Sequence, residues 1–228
     1  MPSFAESLPA MVAALEDRYG RAGTSTGGPI GFTRVAAALL RGVESSKRDR
    51  LIEALRDAGL LDPSALAEAD PAEVAEVARQ ARVTVGTKTL AGLRRVARWM
   101  ADEYGGDPGA LDAVPTGQLR EELLGVNGVG AATADAVLLF GLGRPSYPVD
   151  RASYRVFVRH GWIDPTADYD EARDLPGRAL PDDPDVLALL SGWLDSIGAD
   201  FCKPSAPRCE RCPLRPFLPP DGPRDPDS

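Results

Sequence analysis

The stretch from Leu123 to Asp150, LLGVNGVGAATADAVLLFGLGRPSYPVD, constrains the fold of this chain more than any other. A glycine turn, Gly125-Val126-Asn127-Gly128-Val129-Gly130, runs straight into an apolar segment with helical spacing, Ala131 to Leu142. A lone carboxylate, Asp150, then stands at the start of the next helical segment. A glycine turn that opens a helix leaves backbone N–H groups without acceptors beside the positive end of the helix dipole, which suits a phosphate. The segment before the turn, Thr116 to Leu124, also reads as a helix, with Thr116 as its cap. A helix there argues against a dinucleotide fold or a P-loop, and no Lys-Ser/Thr pair follows the glycines.

The rest of the chain reads as nearly all helical. Apolar residues fall at helical spacing over Phe32 to Leu40 and Lys47 to Leu55. Asp70-Pro71 starts another helix, running to about Ala81, with proline in its first turn. A long one spans Thr87 to Tyr104 and stops at Gly105-Gly106. Helices over Asp150 to Gly161 and Asp183 to about Ala199 follow. No segment alternates apolar and polar residues over a useful length, although Val83-Thr84-Val85 is a short ambiguous patch. Gly20 to Gly31 reads as a flexible connection, and the proline-rich, acidic end, Pro213 to Ser228, as disordered.

With 228 residues, 43% of them hydrophobic, the chain can bury a sizeable core. Aromatics are sparse at 6%, so Leu, Val and Ala must do most of the packing. No apolar run approaches the roughly 20 residues of a membrane span. The start, MPSFAESLPAMVAAL, lacks the basic residues of a signal peptide, so a cytoplasmic protein is expected. Lysine is almost absent, with only Lys47, Lys88 and Lys203, so a mechanism needing an amine nucleophile has few candidates. The formal charge of −8 opposes binding to a polyanion, but acids concentrate away from the glycine turn, over Glu68 to Glu76, Asp164 to Asp174, Asp182 to Asp185 and the tail.

The LxGVxGVGxxTAD turn, with Val149-Asp150 at the matching distance, resembles the helix-hairpin-helix (HhH-GPD) DNA glycosylases of the endonuclease III superfamily. Weaker similarity extends from about Gly31 to Pro213. The resemblance implies an all-α fold of two helical domains with a lesion cleft between them. Carried over, residues 32–143 form a helical barrel ending in the hairpin, and residues 1–31 and 144–212 form the second domain with its cysteine-rich loop. It implies base-excision repair of double-stranded DNA containing a damaged base, by a monomer without a membrane partner. Gly125, Val126, Gly128, Val129 and Gly130 would bind a backbone phosphate, and Asp150 would assist cleavage of the glycosidic bond.

Asp150 has a plainer reading as a helix cap, and the two roles are compatible, because a cap fixes the carboxylate. A carboxylate beside an oxocarbenium-like sugar stabilises the cation or activates water. Family members that also cut the strand carry a lysine two residues after the last hairpin glycine. Here that position is Ala132, which cannot form a Schiff base. Three readings stay open: a monofunctional glycosylase, a non-catalytic DNA-binding relative, and a bifunctional enzyme with a displaced amine. A second departure is Val43, where the family often has a glutamine that meets the flipped base or fills its gap.

Arg151, Arg155 and Arg159 share one helix face directly after Asp150 and suit phosphate contacts, with ion pairs on a solvated face as the plainer reading. Arg94, Arg95 and Arg98 cluster on another helix, and Tyr147, Tyr154 and Trp162 are candidates for stacking on a base. Cys202, Cys209 and Cys212 form C-x6-C-x2-C, which matches the first three ligands of the family's [4Fe–4S] loop. The fourth cysteine would fall at Leu218. The set implies a cluster with an exogenous or carboxylate ligand such as Asp221, a three-iron form, or three free thiols. Zinc fits less well, since His160 is the only histidine.

Overall fold

The computed structural model describes residues 2–21 and 31–226. The connection read between Gly20 and Gly31 lies largely outside the described residues. Among the described residues eleven α-helices follow one another: α1 (Phe4–Tyr19), α2 (Phe32–Leu39), α3 (Ser45–Asp57), α4 (Pro63–Glu68), α5 (Pro71–Gln80), α6 (Thr87–Tyr104), α7 (Thr116–Gly125), α8 (Ala131–Ala136), α9 (Arg151–Arg159), α10 (Tyr169–Ala179) and α11 (Pro184–Asp200). No strand occurs among the described residues, and Val83-Thr84-Val85 is loop. The chain divides into two compact helical units, Gly27–Arg144 and Met1–Thr26 with Pro145–Ser228.

The first unit packs α2 to α8 around an aliphatic core that includes Val35, Leu51, Leu55, Leu93, Val96, Leu119, Leu123 and Val137. Local chemistry sets its helix ends. Asp70 accepts the Ala72 N–H ahead of Pro71, and α6 stops on left-handed Gly105. Thr116 is the first residue of α7 and makes no cap bond; Pro115 precedes it as the capping residue. The apolar run after the hairpin changes winding part-way, from α8 into a π-helical turn over Val137–Gly141. Gly141 lets the backbone of Val35 approach, since a Cβ there would stand 3.2 Å from Val35 Cα. Arg34 Nε donates to the Phe140 carbonyl within that turn.

The second unit has an aromatic centre: Phe4 meets Phe157 and Trp162 edge-on, and Tyr147 lies against Phe157. Helices α9 and α11 pack flush at Gly198, where a Cβ would stand 2.4 Å from that of Ala152. The C-terminal stretch, expected to be disordered, is packed as far as it is described. Leu214 is fully buried, and the Arg224 N–H donates to the carbonyl of Arg159. Composition hid this order, because three apolar residues among prolines and acids suffice to dock the segment. Short helix α4 and acidic α10 also escape the apolar periodicity; their caps, Asp62 and the Asp168–Glu171 capping box, are the signals that mark them.

Candidate active site

The glycine turn is a helix-hairpin-helix: α7, a tight turn over Val126–Gly130, and α8. Val129 is buried and anchors the turn, its N–H donating to Val126 O. Gly128 takes φ +85, a backbone that favours glycine. The N–H groups of Gly128 and Gly130 have no acceptor among the described residues. Three ties hold this hairpin. Arg120 on α7 pairs with fully buried Asp135 on α8, with Nε 2.9 Å from Oδ1. Tyr104 at the end of α6 donates to Glu122 on α7, and burial together with that bond pushes its phenol up to about 12. Arg95 on α6 donates to the Asn127 carbonyl at 2.8 Å. Ala132 is exposed on the first turn of α8.

Asp150 is the N-cap of α9, its Oδ1 receiving the Ser153 N–H at 2.7 Å. Its other oxygen has no partner among the described residues. The carboxylate lines a cavity of about 540 Å³ with Arg151, Tyr154, Arg155 and Tyr169, all within the second unit. Tyr154 OH donates to Pro165 O, and Tyr169 OH accepts the Val149 N–H, so both rings are fixed on the wall. Tyr169 was invisible in sequence; nothing links it to Asp150 except the fold. Of the other stacking candidates, Tyr147 is buried against Ser153 and Trp162 is stacked on His160. Val43 is half-buried against the core of the first unit.

The arginines of α9 have three fates. Arg151 is exposed. Arg155 gives its Nε to the Cys202 carbonyl. Arg159 is 5% exposed and binds Cys202 Sγ at 3.1 Å and the carbonyls of Lys203 and Pro204. Arg159 is therefore withdrawn from the outer face on which the sequence places it. On α6, Arg94 donates to Ala69 O and Arg98 to Ala67 O, at the end of α4.

Cys202, Cys209 and Cys212 line one small cavity with Arg159, His160 and Leu218. Burial pushes the Cys209 thiol up and the Cys212 thiol up to about 11. No group of three His, Cys, Asp or Glu among the described residues is close enough to hold a single metal ion. His160 has both ring nitrogens against carbonyls, of Val156 and Leu214, and burial lowers its pKa. That arrangement disfavours zinc.

No family model matches the chain. A protein of Methanocaldococcus jannaschii, named a candidate DNA repair glycosylase, is 31% identical over 186 residues, 80% of this chain and 82% of the relative. Endonuclease III of Thermotoga maritima is 29% identical over 154 residues, 67% of this chain and 66% of the relative. A trapped endonuclease III–DNA covalent intermediate superposes over 100% of this chain and 98% of its own, with a TM-score of 0.71 at 17% identity. A 3-methyladenine DNA glycosylase of Helicobacter pylori follows the same fold over 87% of this chain and 98% of its own, with a TM-score of 0.67 at 18% identity. The fold and the hairpin thus define a helix-hairpin-helix DNA glycosylase. The chain belongs to the endonuclease III superfamily. Among the described residues no helix is long and apolar enough to cross a membrane.

Proposed function

We propose that this protein is a monofunctional DNA glycosylase, which hydrolyses the N-glycosidic bond of a damaged base in duplex DNA and leaves an abasic site. The observation that carries this reading is Asp150, fixed through one oxygen by the Ser153 N–H and open through the other to a cavity walled by two tyrosines. As the base departs, its sugar gains oxocarbenium character. The open oxygen of Asp150 stabilises that charge or takes a proton from the attacking water. Tyr154 and Tyr169 offer flat surfaces to an extruded base. The hairpin N–H groups and exposed Arg151 receive backbone phosphates, and Arg155 lends charge at the same wall. Ala132 supplies no amine for a Schiff base, so the bond is cut by water.

Single-turnover base release from a panel of lesion-bearing duplexes, read with and without alkali, tests the reading. Strand breaks seen only after alkali, and slowed about 10²- to 10⁴-fold in Asp150→Asn, support it. Breaks without alkali, together with borohydride trapping, replace it with a bifunctional enzyme using a displaced amine. Tight duplex binding with no product on any lesion replaces it with a non-catalytic relative.

The residues that would hold an iron–sulfur cluster are Cys202, Cys209 and Cys212; Leu218, where the family's fourth cysteine would fall in the sequence, lines the same cavity. A bound cluster would staple this loop and carry negative charge opposite Arg159; bond cleavage at Asp150 does not pass through it. Iron, sulfide and visible absorption of an anaerobic preparation are the test. Leu218→Cys should raise cluster content, and a colourless, iron-free protein would leave three free thiols.

A further inference from the structure

We infer that Arg95 is a side-chain ligand of the phosphate held by the hairpin, an inference that rests on the DNA-binding reading above. Arg95 lies in the middle of α6, far in sequence from the turn it serves. Its Nη1 donates to the Asn127 carbonyl at 2.8 Å and stands 2.7 Å from where a Cβ on residue 128 would be. The guanidinium is therefore laid against the backbone of the turn, in space that Gly128 leaves open.

A guanidinium carries five N–H donors and no acceptor. The Asn127 carbonyl takes one of them, and the others have no acceptor among the described residues. No carboxylate pairs with Arg95 among the described residues, although the chain carries 34 acids against 26 basic residues. Its neighbours differ: Arg94 and Arg98 turn to the carbonyls that end α4. Beside Arg95 stand two more donors without acceptors, the N–H groups of Gly128 and Gly130. The turn thus presents donors and a positive charge with no anion of its own. A phosphodiester oxygen, bound by the backbone N–H groups and by a fork of guanidinium N–H groups, completes it. The Asn127 bond pre-orients the fork, so little side-chain freedom is lost when DNA arrives.

The test is the salt dependence of binding to a short undamaged DNA duplex, measured for the full chain, Arg95→Gln, Arg95→Lys and Arg98→Gln. Glutamine keeps an amide donor for the Asn127 carbonyl but removes the charge. The slope of log affinity against log salt should fall by about 0.9 in Arg95→Gln, the loss of one phosphate contact, and should hold in Arg95→Lys and Arg98→Gln. Thermal melts confirm that each variant is folded. An unchanged slope in Arg95→Gln, with wild-type binding still salt-dependent, overturns the inference and leaves the DNA-binding reading standing. Wild-type protein whose duplex binding shows no salt dependence overturns both.

Discussion

Helices α6 and α9 each carry three arginines on or near one face, and in the sequence they look interchangeable. In the structure they are used in opposite ways. The arginines of α9 turn inward step by step: Arg151 is exposed, Arg155 gives its Nε to the Cys202 carbonyl, and Arg159 is sunk among the cysteines. Those of α6 stay in its outer half and end on backbone carbonyls, two closing α4 and one stapling the hairpin. The difference comes from what each helix packs on. Helix α9 lies flush on α11 at Gly198 against Ala152, and Arg159, about two turns further along, reaches the cysteine loop. Spacing of arginines therefore fixes a face, and the neighbouring helix decides whether that face meets solvent, carbonyls or the cysteine loop.

The strongest test of this contrast is Arg159→Met beside Arg98→Met. Methionine fills much of the same volume but leaves Cys202 Sγ and the carbonyls of Lys203 and Pro204 without their donors. The expected loss is about 3 kcal/mol, because bonds from a buried charged donor are involved. For a chain of this size that lowers Tm by roughly 6–12 °C in a thermal melt. Arg98 is exposed and donates to one helix-end carbonyl, so its loss should cost about 1 kcal/mol. Equal costs for the two variants would mean that burial does not separate the helices.

Gly198→Ala attacks the cause and should have the next largest effect. The new methyl carbon would collide with Ala152, so α9 and α11 must separate. Overpacking of this kind costs about 1–3 kcal/mol. The cysteine loop should loosen with it, read as faster reaction of Cys202, which is now buried, with a thiol reagent. A melt unchanged from wild type would show that the two helices have slack and that the flush contact does not direct Arg159.

The sequence carried the helices with strong apolar periodicity, and α6 matches its expected span, Thr87 to Tyr104, because Gly105-Gly106 leaves no doubt where it ends. It also marked the hairpin, since three glycines at that spacing have few other uses. The supports of the hairpin were hidden. Asp135 was read only as part of a motif, and its burial against Arg120 depends on how α7 folds back on α8. Tyr169 joins the Asp150 cavity from 19 residues downstream, through an acidic helix whose apolar positions are too few to read as a pattern. The three cysteines were plain in sequence, whereas the cation beside them was read as a phosphate contact. Side chains that finish inside another element leave no periodic trace of their destination.

Arg151 gives the smallest effect on stability and the finest test of the contrast. It is the exposed member of its row, it lines the Asp150 cavity, and it has no partner among the described residues. Arg151→Gln removes no contact that folding makes, so its Tm should stay within the shift that about 0.5 kcal/mol produces. Under the proposed function its contribution falls on substrate: a phosphate bound equally before and during bond cleavage would add uniform binding energy. The enzyme concentration for half-maximal single-turnover rate should therefore rise several-fold while the maximal rate holds. A lowered maximal rate with unchanged half-saturation would place Arg151 at the developing charge itself, alongside Asp150. In that case α9 would serve chemistry with its first residue and structure with its last, and the outward end of the row would have a catalytic use as well as a positional one.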